Sequence, residues 1–283
     1  GVHGPAPANR YPRSVVMSRM TDQIGRVLSG RYRLIAPLGT GASAQVYLAD
    51  DVRLRQALAL GFDRESLITK VLKDYYLTAP SILPADIPGN NPDAALEGDI
   101  AKAKELLAEA GYPDGEGWPA EFSLVSRTTN PLPLITQYLQ QQWKENLGID
   151  VQLQPLEPRA YVEWRSARAD QLYNAHMGIW GSDFADPSNW HNQLFASNGD
   201  FYKTHWKNDE YDQLVADALV ETDEEKRFQM YRDAEVILIR EAANVPVYHG
   251  QNFYVTKPHV HNIFHLPTAA AGSWLKRITM DET

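Results

Sequence analysis

The chain has 283 residues, no cysteine and a formal net charge of −9 at pH 7, with 43% hydrophobic and 22% charged residues. This composition is typical of a globular protein with one large core or two ordinary ones. The absence of cysteine excludes disulfides, thiolate catalysis and cysteine-ligated metal sites, and the acidic balance without a Lys/Arg block argues against nucleic acid as a partner.

The first 50 residues differ from the rest of the chain in the pattern of their apolar residues. Residues 1–30 show no sustained periodicity, which predicts an irregular or disordered tail, and they lack the basic-then-apolar pattern of a secretory signal. Residues 31–50 predict a β-hairpin, because two short apolar runs, at 33–38 and 45–49, flank a turn of small residues. From residue 51 onward helices alternate with short strands. A domain boundary near residue 50 follows.

Capping residues predict where the helices begin and end. Asp63, Asp99 and Asp223 are placed to cap helices, and Gly111 and Gly148 are placed to terminate them. Periodic apolar residues predict helices in the windows 54–72, 100–110, 134–147, 160–169, 211–219 and 224–238. Strands are predicted at 122–125, 149–153, 174–180, 245–248 and 253–255.

The order of three of these elements predicts a parallel sheet. The strand at 122–125 is followed by the helix at 134–147 and then by the strand at 149–153. A crossover long enough to carry a helix joins parallel strands, with right-handed connectivity. The fold class predicted is therefore α/β.

The most informative stretch is Trp180-Gly181-Ser182-Asp183-Phe184-Ala185-Asp186-Pro187, which puts a carboxylate beside aromatic rings just after a predicted strand. In a partly dry cleft, Asp183 would pair strongly with a ligand ammonium, and the neighbouring rings would offer cation–π and stacking faces. A plain surface turn is the alternative, because Asp-Pro and Ser-Asn favour turns.

Several separate stretches resemble the family 5 extracytoplasmic solute-binding proteins, which serve peptide and nickel ABC importers. The resemblance covers about residues 51–283, in order and at family spacing. It rests on the segments 52–65, 101–112, 147–151, 180–187 and 245–249.

The resemblance implies a type II periplasmic-binding-protein-like lobe, with a mixed, largely parallel sheet flanked by helices. Such proteins are two-lobed clamps. Residues 51–283 resemble the C-terminal lobe, with 246–283 returning toward a first lobe that this chain lacks, so the clamp is incomplete and weak ligand affinity is expected. The function implied is oligopeptide or dipeptide recognition for an ABC importer. The protein is then an extracytoplasmic monomer that works with the importer's membrane subunits, without metal, cofactor or enzymatic activity.

The resemblance also implies site residues. Asp183 is in the position of the anchor for the ligand's α-ammonium, and Trp180 and Phe184 are in positions that line the pocket. Weaker lining candidates are Tyr161, Arg168 and Tyr248, with Arg168 as a partner for a ligand carboxylate. Each of these three has a structural alternative, respectively core packing, a solvated position near a helix end and packing within a strand.

Residues 30–49 resemble the opening of a bacterial Ser/Thr protein kinase. Gly39, Gly41 and Val46 follow the pattern of the glycine-rich loop, with Ala44 in place of its third glycine. The alternative functions are therefore a nucleotide-binding kinase fragment or a nonfunctional chimeric product. Phosphoryl transfer also needs a strand lysine and a catalytic-loop aspartate, and the sequence contains no His-Arg-Asp. We therefore expect no catalytic residues.

Overall fold

The computed structural model describes residues 27–28, 32–40, 45–167, 174–199, 201–202, 204, 206–251, 253, 255–262 and 279–280. The chain divides into two units, Gly1–Val52 and Arg53–Thr283. Nearly all of the tail predicted at 1–30 lies outside the described residues.

The first unit contains three antiparallel strands, β1 (Val27–Leu28), β2 (Tyr32–Thr40) and β3 (Gln45–Asp51), in the order β1-β2-β3. The two longer strands correspond to the predicted hairpin. Their register shifts between Leu34 and Ala36 and again between Pro37 and Gly39. Proline has no backbone N–H that could donate a hydrogen bond to the neighbouring strand. It therefore occurs in sheets mainly where the pairing is irregular, as at Pro37.

The second unit begins with short helices. In chain order these elements are α1 (Val52–Leu60), α2 (Arg64–Ser66) continued by a π-helical turn (Leu67–Val71), β4 (Tyr76–Thr78), a 3-10 turn (Pro92–Ala94), α3 (Ile100–Glu109) and a 3-10 turn (Pro113–Gly115). Asp63 accepts a hydrogen bond from the Ser66 N–H at 3.0 Å, and Asp99 accepts one from the Lys102 N–H at 2.9 Å. Both predicted N-caps are therefore confirmed.

The central sheet is parallel, as the order of its elements predicts. Its elements are β5 (Ser123–Arg127), α4 (Leu132–Leu147), β6 (Gln152–Leu156), α5 (Pro158–Ser166) and β7 (Asn174–His176). The strand order is β6-β5-β7, and Ser123 pairs with Gln152 on one side and with Asn174 on the other.

Two strand boundaries differ from the prediction. The strand predicted at 149–153 begins at Gln152, and Ile149 and Val151, at 0% and 3% exposure, are buried in the core before pairing begins. The strand predicted at 174–180 ends at His176, and the following residues form a loop. Apolar residues alone do not distinguish a buried strand from a buried, unpaired segment next to a strand.

The last part of the unit is mostly helical. Its elements are α6 (Ser188–Trp190) continued by a π-helical turn (His191–Phe195), α7 (Asp209–Val220), α8 (Glu224–Arg240), β8 (Tyr248–Gly250), β9 (Val260–His261) and β10 (Thr279–Met280). The pairs β4–β8 and β9–β10 are antiparallel. Asp223 caps α8 as predicted, by accepting from the Lys226 N–H at 3.1 Å. The strand predicted at 245–248 starts at Tyr248, and the one predicted at 253–255 is not formed at the described residues Phe253 and Val255.

The described part of the second unit has two hydrophobic clusters. The sheet cluster packs α3 and α4 on the sheet through residues such as Leu107, Leu124 and Ile135. The helical cluster joins α7 and α8 to the segment 82–87 and to Trp190. Leu96 packs against both clusters.

Gly148 ends α4 with a left-handed φ of 72°. A Cβ at this position would lie 2.2 Å from the backbone oxygen of Asp114. We expect Gly148→Ala to lower the free energy of unfolding by about 2 kcal/mol or more, since it adds a backbone clash to the strain of a positive φ. Urea denaturation would measure this change.

Gly111→Ala is the matched control, because Gly111 also has a positive φ, 99°, but a Cβ at this position would have no neighbouring atom within 4 Å. It should cost about 1 kcal/mol from the backbone term alone. Equal losses in the two variants would show that the close approach to Asp114 carries no energetic weight.

Candidate functional site

The carboxyl ends of the parallel strands meet at one edge of the sheet, which in α/β proteins is the usual place for ligands. The N–H of Met177 donates to the Val125 oxygen at 2.8 Å and carries the chain from β7 into the loop 178–187. On the neighbouring strands, the N–H of Thr128 donates to the Leu156 oxygen at 2.9 Å, and its hydroxyl donates to Glu157 Oε1 at 3.2 Å. The predicted ligand loop therefore starts from this edge.

Asn189 holds the loop in shape. It is fully buried, and its Oδ1 accepts from the indole Nε1 of Trp180 at 3.1 Å and from the backbone N–H of Asp183 at 3.1 Å. Its Nδ2 donates to Gln193 Oε1 at 3.2 Å. One amide side chain thus fixes both the ring and the backbone that present the predicted site. Sequence analysis missed this residue, although its place two residues after the Asp-Pro turn was a signal.

The side chain of Asp183 is exposed. Its carboxylate forms no hydrogen bond or ion pair with any residue that the structure describes. Phe184 beside it is 45% exposed. The backbone of Asp183 is therefore fixed, while its carboxylate is open to solvent. Exclusion of water from this carboxylate would require a bound ligand or a second surface that covers it.

Asp186 has a different environment from Asp183. It is half-buried and accepts from Arg227 Nη2 at 2.7 Å and from the N–H and hydroxyl of Ser188 at 3.0 and 2.6 Å. Burial alone would raise the pKa of Asp186, but the hydrogen bonds from Arg227 and Ser188 hold it below its ordinary value. This carboxylate is a structural tie between the loop and α8.

Aromatic rings continue from the loop to the sheet. Trp180 meets Phe201 edge-to-face at 5.0 Å, Phe201 meets Tyr202 at 5.4 Å, and Tyr202 lies 5.6 Å from the ring of His176. The backbone passes close beneath this row, since a Cβ at Gly178 would lie 2.6 Å from the Tyr202 ring. Burial raises the pKa of Tyr202 well above its ordinary value, so its hydroxyl stays neutral.

Two other predicted lining residues are Tyr161, which contacts His176 of this row, and Tyr248, which contacts Tyr76. Tyr161 is fully buried, and its hydroxyl is hydrogen-bonded to His176 Nδ1 at 2.7 Å. Tyr248 is half-buried in β8 and packs edge-to-face on Tyr76 at 5.0 Å. Burial raises the pKa of Tyr248 to about 12. Tyr161 thus has the core position that was its structural alternative, and the lining role of both residues stays a prediction.

The remaining predicted site residues are Arg168 in the second unit and Gly39, Gly41 and Val46 in the first. Arg168 and Gly41 lie outside the described residues. Gly39 and Val46 are paired with each other across β2 and β3. Neither nucleotide binding nor the carboxylate role of Arg168 is tested by these positions.

Arg127 is a candidate that sequence analysis did not name. It is the last residue of β5, is half-buried, and its guanidinium lies 5.1 Å from the centre of the Tyr161 ring. Within the described ranges it forms no ion pair. A basic residue at the carboxyl end of a predicted central strand was the signal that could have identified it.

The chemistry of this edge is that of binding contacts, with the exposed carboxylates of Asp183 and Glu157, the half-buried guanidinium of Arg127 and several rings. Among the described residues, no group of three His, Asp or Glu side chains is arranged to hold a metal ion. Over the same residues, the structure contains no helix with the length and apolar character needed to cross a membrane. The fold and this edge together define a ligand-binding lobe of the α/β class.

A family model described as "Bacterial extracellular solute-binding proteins, family 5 Middle" matches residues 32–202. The match covers more than half of the chain and includes the whole parallel sheet and the loop with Asp183. The chain therefore belongs to family 5 of the bacterial extracellular solute-binding proteins. The match also includes the hairpin of the first unit, and the comparisons give the kinase resemblance no support.

Relatives and solved structures agree with this family. The oligopeptide-binding protein OppA of Bacillus subtilis is 31% identical over 206 residues, which are 70% of this chain and 37% of that protein. The probable deoxycholate-binding periplasmic protein YgiS of Escherichia coli is 31% identical over 254 residues, 87% of this chain and 46% of that protein. The structure of a periplasmic oligopeptide-binding protein, OppAIV, from Borrelia burgdorferi matches with a TM-score of 0.64 and 32% identity, over 70% of this chain and 39% of that one.

These matches confirm the predicted fold class, an α/β lobe like those of type II periplasmic binding proteins. They also show that the relatives are binding proteins rather than enzymes. The chain spans less than half the length of these relatives.

Proposed function

We propose that this chain takes part in recognising an oligopeptide or dipeptide for an ABC importer, outside the cytoplasmic membrane, with Asp183 as the anchor for the ligand's α-ammonium. The observation that carries the proposal is the geometry of Asp183. Asn189 fixes its backbone and the neighbouring Trp180 ring, while its carboxylate is exposed at the carboxyl edge of the sheet. Family membership supplies the class of function.

The charges at this edge favour a peptide over an acidic lipid-like ligand. The relatives include proteins named for oligopeptides and one named for deoxycholate, which is an anion. An exposed carboxylate at Asp183 repels an anion and attracts an ammonium. Arg127 offers a positive charge near the same edge, so a ligand with both an ammonium and a carboxylate has a partner for each.

The affinity of this chain alone is expected to be low. The chain spans less than half of its relatives' length, so residues that cover the ligand in a complete protein are not all in this sequence. A charge pair open to solvent contributes little, because water screens it. The importer's membrane subunits are the proposed partners, and the chain is proposed to be monomeric.

Substitution of Asp183 by asparagine tests the anchor. We expect Asp183→Asn to weaken binding of trialanine by about tenfold, because a charge-assisted hydrogen bond to the ammonium is lost. Binding of N-acetyl-trialanine should be equally weak with or without the substitution. Isothermal titration calorimetry, or NMR titration at millimolar peptide, measures both.

Glu116→Gln is the control, because Glu116 is likewise exposed but follows Gly115, which packs against Gly148 before β6 begins and so lies toward the opposite edge of the sheet. It should leave trialanine binding unchanged. If wild type and Asp183→Asn bind trialanine equally well, the anchor assignment is wrong. If wild type binds neither peptide but binds deoxycholate, the proposed ligand class is wrong.

A further inference from the structure

Arg165 is a buried cation for which the described residues supply no ion-pair partner. It lies in the last turn of α5 and is 8% exposed. One guanidinium nitrogen, Nη1, is buried and forms no hydrogen bond with any described residue. Across the residues that the structure describes, no carboxylate lies within ion-pair distance of it. Burying an unpaired charge is unfavourable, and an apolar side chain of similar length would fill the same space.

Aromatic faces supply the attraction that a carboxylate would otherwise give. The guanidinium carbon lies 4.0 Å from the centre of the Phe201 ring and 5.9 Å from that of Tyr202. A cation over a ring face is attracted by the negative charge density of that face, more strongly where water is excluded. The nearer ring is that of Phe201, which is itself 37% exposed.

Phe201 in turn contacts the candidate site. Its ring meets Trp180 edge-to-face, at 5.0 Å and an interplanar angle of 65°. A second contact of the Trp180 indole is the hydrogen bond from its Nε1 to Asn189, and the ring also packs against the helical cluster. Trp180 is therefore held between an amide on one side and a ring fixed by Arg165 on the other.

We propose that Arg165 is a positioning residue of the ligand site, which fixes the Phe201 ring by a cation–π contact and through it the orientation of the Trp180 indole. The effect on Trp180 is independent of any ligand. The effect on peptide affinity rests on the proposed function, since it requires that Trp180 lines the site. The charge, and not only the bulk, of Arg165 carries the role.

Fluorine NMR of the full chain labelled with 5-fluorotryptophan tests the proposal without ligand, and Trp180→Phe identifies the Trp180 resonance. Arg165→Met is expected to shift and broaden that resonance, because the ring contact that orders the indole is lost. Arg165→Lys should give a smaller shift, since its ammonium keeps the charge without the planar stack. Arg159→Met is the matched control on the same helix, where Arg159 is exposed and paired with Glu163, and should change nothing.

A double-mutant cycle with Phe201→Leu separates positioning from a general packing effect. If Arg165 acts through Phe201, the Trp180 resonance in Phe201→Leu is already shifted, and adding Arg165→Lys shifts it no further. Additive shifts, or an unchanged Trp180 resonance in folded Arg165→Met, would overturn the proposal. If Arg165→Met does not fold, Arg165→Lys alone and in the cycle gives the same decision.

Peptide affinity gives the functional readout. Arg165→Met is expected to weaken trialanine binding by about threefold to tenfold, the size of a buried cation–π contact. Should the wild-type chain bind no peptide, the proposed function fails and the fluorine resonances still decide the role of Arg165. A third outcome is that Arg165→Met binds trialanine as tightly as the wild type although its Trp180 resonance is shifted. Arg165 then positions Trp180, but Trp180 does not contact the ligand, and the functional half of the proposal is overturned.

Discussion

Glu235→Gln is expected to gain about 3 kcal/mol of stability relative to the wild type as the pH rises from about 4.5 to about 7. Glu235 lies on α8 and is fully buried. Its Oε1 accepts from the Ser81 hydroxyl at 2.8 Å and from the Ile82 N–H at 2.7 Å, whereas Oε2 has no hydrogen-bond partner. Burial raises the pKa of Glu235 from 4.5 to about 7, although the hydrogen bonds from Ile82 and Ser81 oppose the rise.

The sign follows from the direction of this shift. The folded protein holds the proton more tightly than the unfolded chain does, so the stabilisation is fully present below pH 4.5 and is lost as the pH approaches 7. The shift corresponds to about 3 kcal/mol between these limits. Urea denaturation at a series of pH values measures the slope. Glutamine keeps an oxygen for the Ser81 and Ile82 donors but has no charge to acquire.

The comparison between variants isolates this one group. Burial lowers the pKa of His191 to about 3 and also lowers the pKa of His249, so both histidines add stability as the pH rises through this range, in both proteins alike. Asp63, Asp186 and Asp223 have lowered pKa values, which cost stability in acid, again in both proteins. Glu116→Gln, at an exposed residue, is the control and should leave the slope as it is in the wild type. Parallel pH profiles of wild type and Glu235→Gln would show that Glu235 ionises in the core without a penalty.

Asn189→Ala is expected to disorder the ligand loop, although its effect on ligand would be indirect. The change removes the acceptor of the Trp180 indole and of the Asp183 N–H, and the partner of Gln193. Leaving such groups unsatisfied costs about 2 kcal/mol or more in unfolding free energy. Amide hydrogen exchange at Asp183 should accelerate by at least about tenfold, and trialanine binding should weaken by a similar factor.

Asn146→Ala is the matched control, because the Asn146 amide also donates inside the fold, to the Gly61 oxygen at 3.0 Å, but away from the loop. It should lower stability without changing exchange at Asp183. If Asn189→Ala leaves that exchange rate unaltered, the loop is held by contacts other than this amide.

Local chemistry made much of the fold predictable. Asp63, Asp99 and Asp223 cap helices because their short carboxylates reach backbone N–H groups three residues ahead, which depends on neighbouring residues alone. The parallel sheet followed from the strand–helix–strand order, since a long crossover permits few topologies. Asp183 was chosen from its type and its place after a strand, and its role in binding stays a prediction.

Other features depend on contacts distant in sequence. From the sequence, Glu235 would be expected on the solvated face of α8, but it is buried and hydrogen-bonded to Ser81 and Ile82, more than 150 positions earlier. The role proposed for Arg165 depends on its contact with Phe201, which is distant in the sequence. Asn189 is nearer to its partners, but an irregular loop has no repeat from which its contacts could be inferred.

The loop with Asp183 joins two hydrophobic clusters that are packed separately. It leaves the sheet cluster at Ala175 and Met177, and it enters the helical cluster through Trp180, Trp190 and the tie from Asp186 to Arg227. Separately packed clusters are natural units of partial unfolding. A ligand bound by this loop would therefore stabilise both clusters together. It would raise the cooperativity of unfolding as well as the midpoint of the unfolding transition.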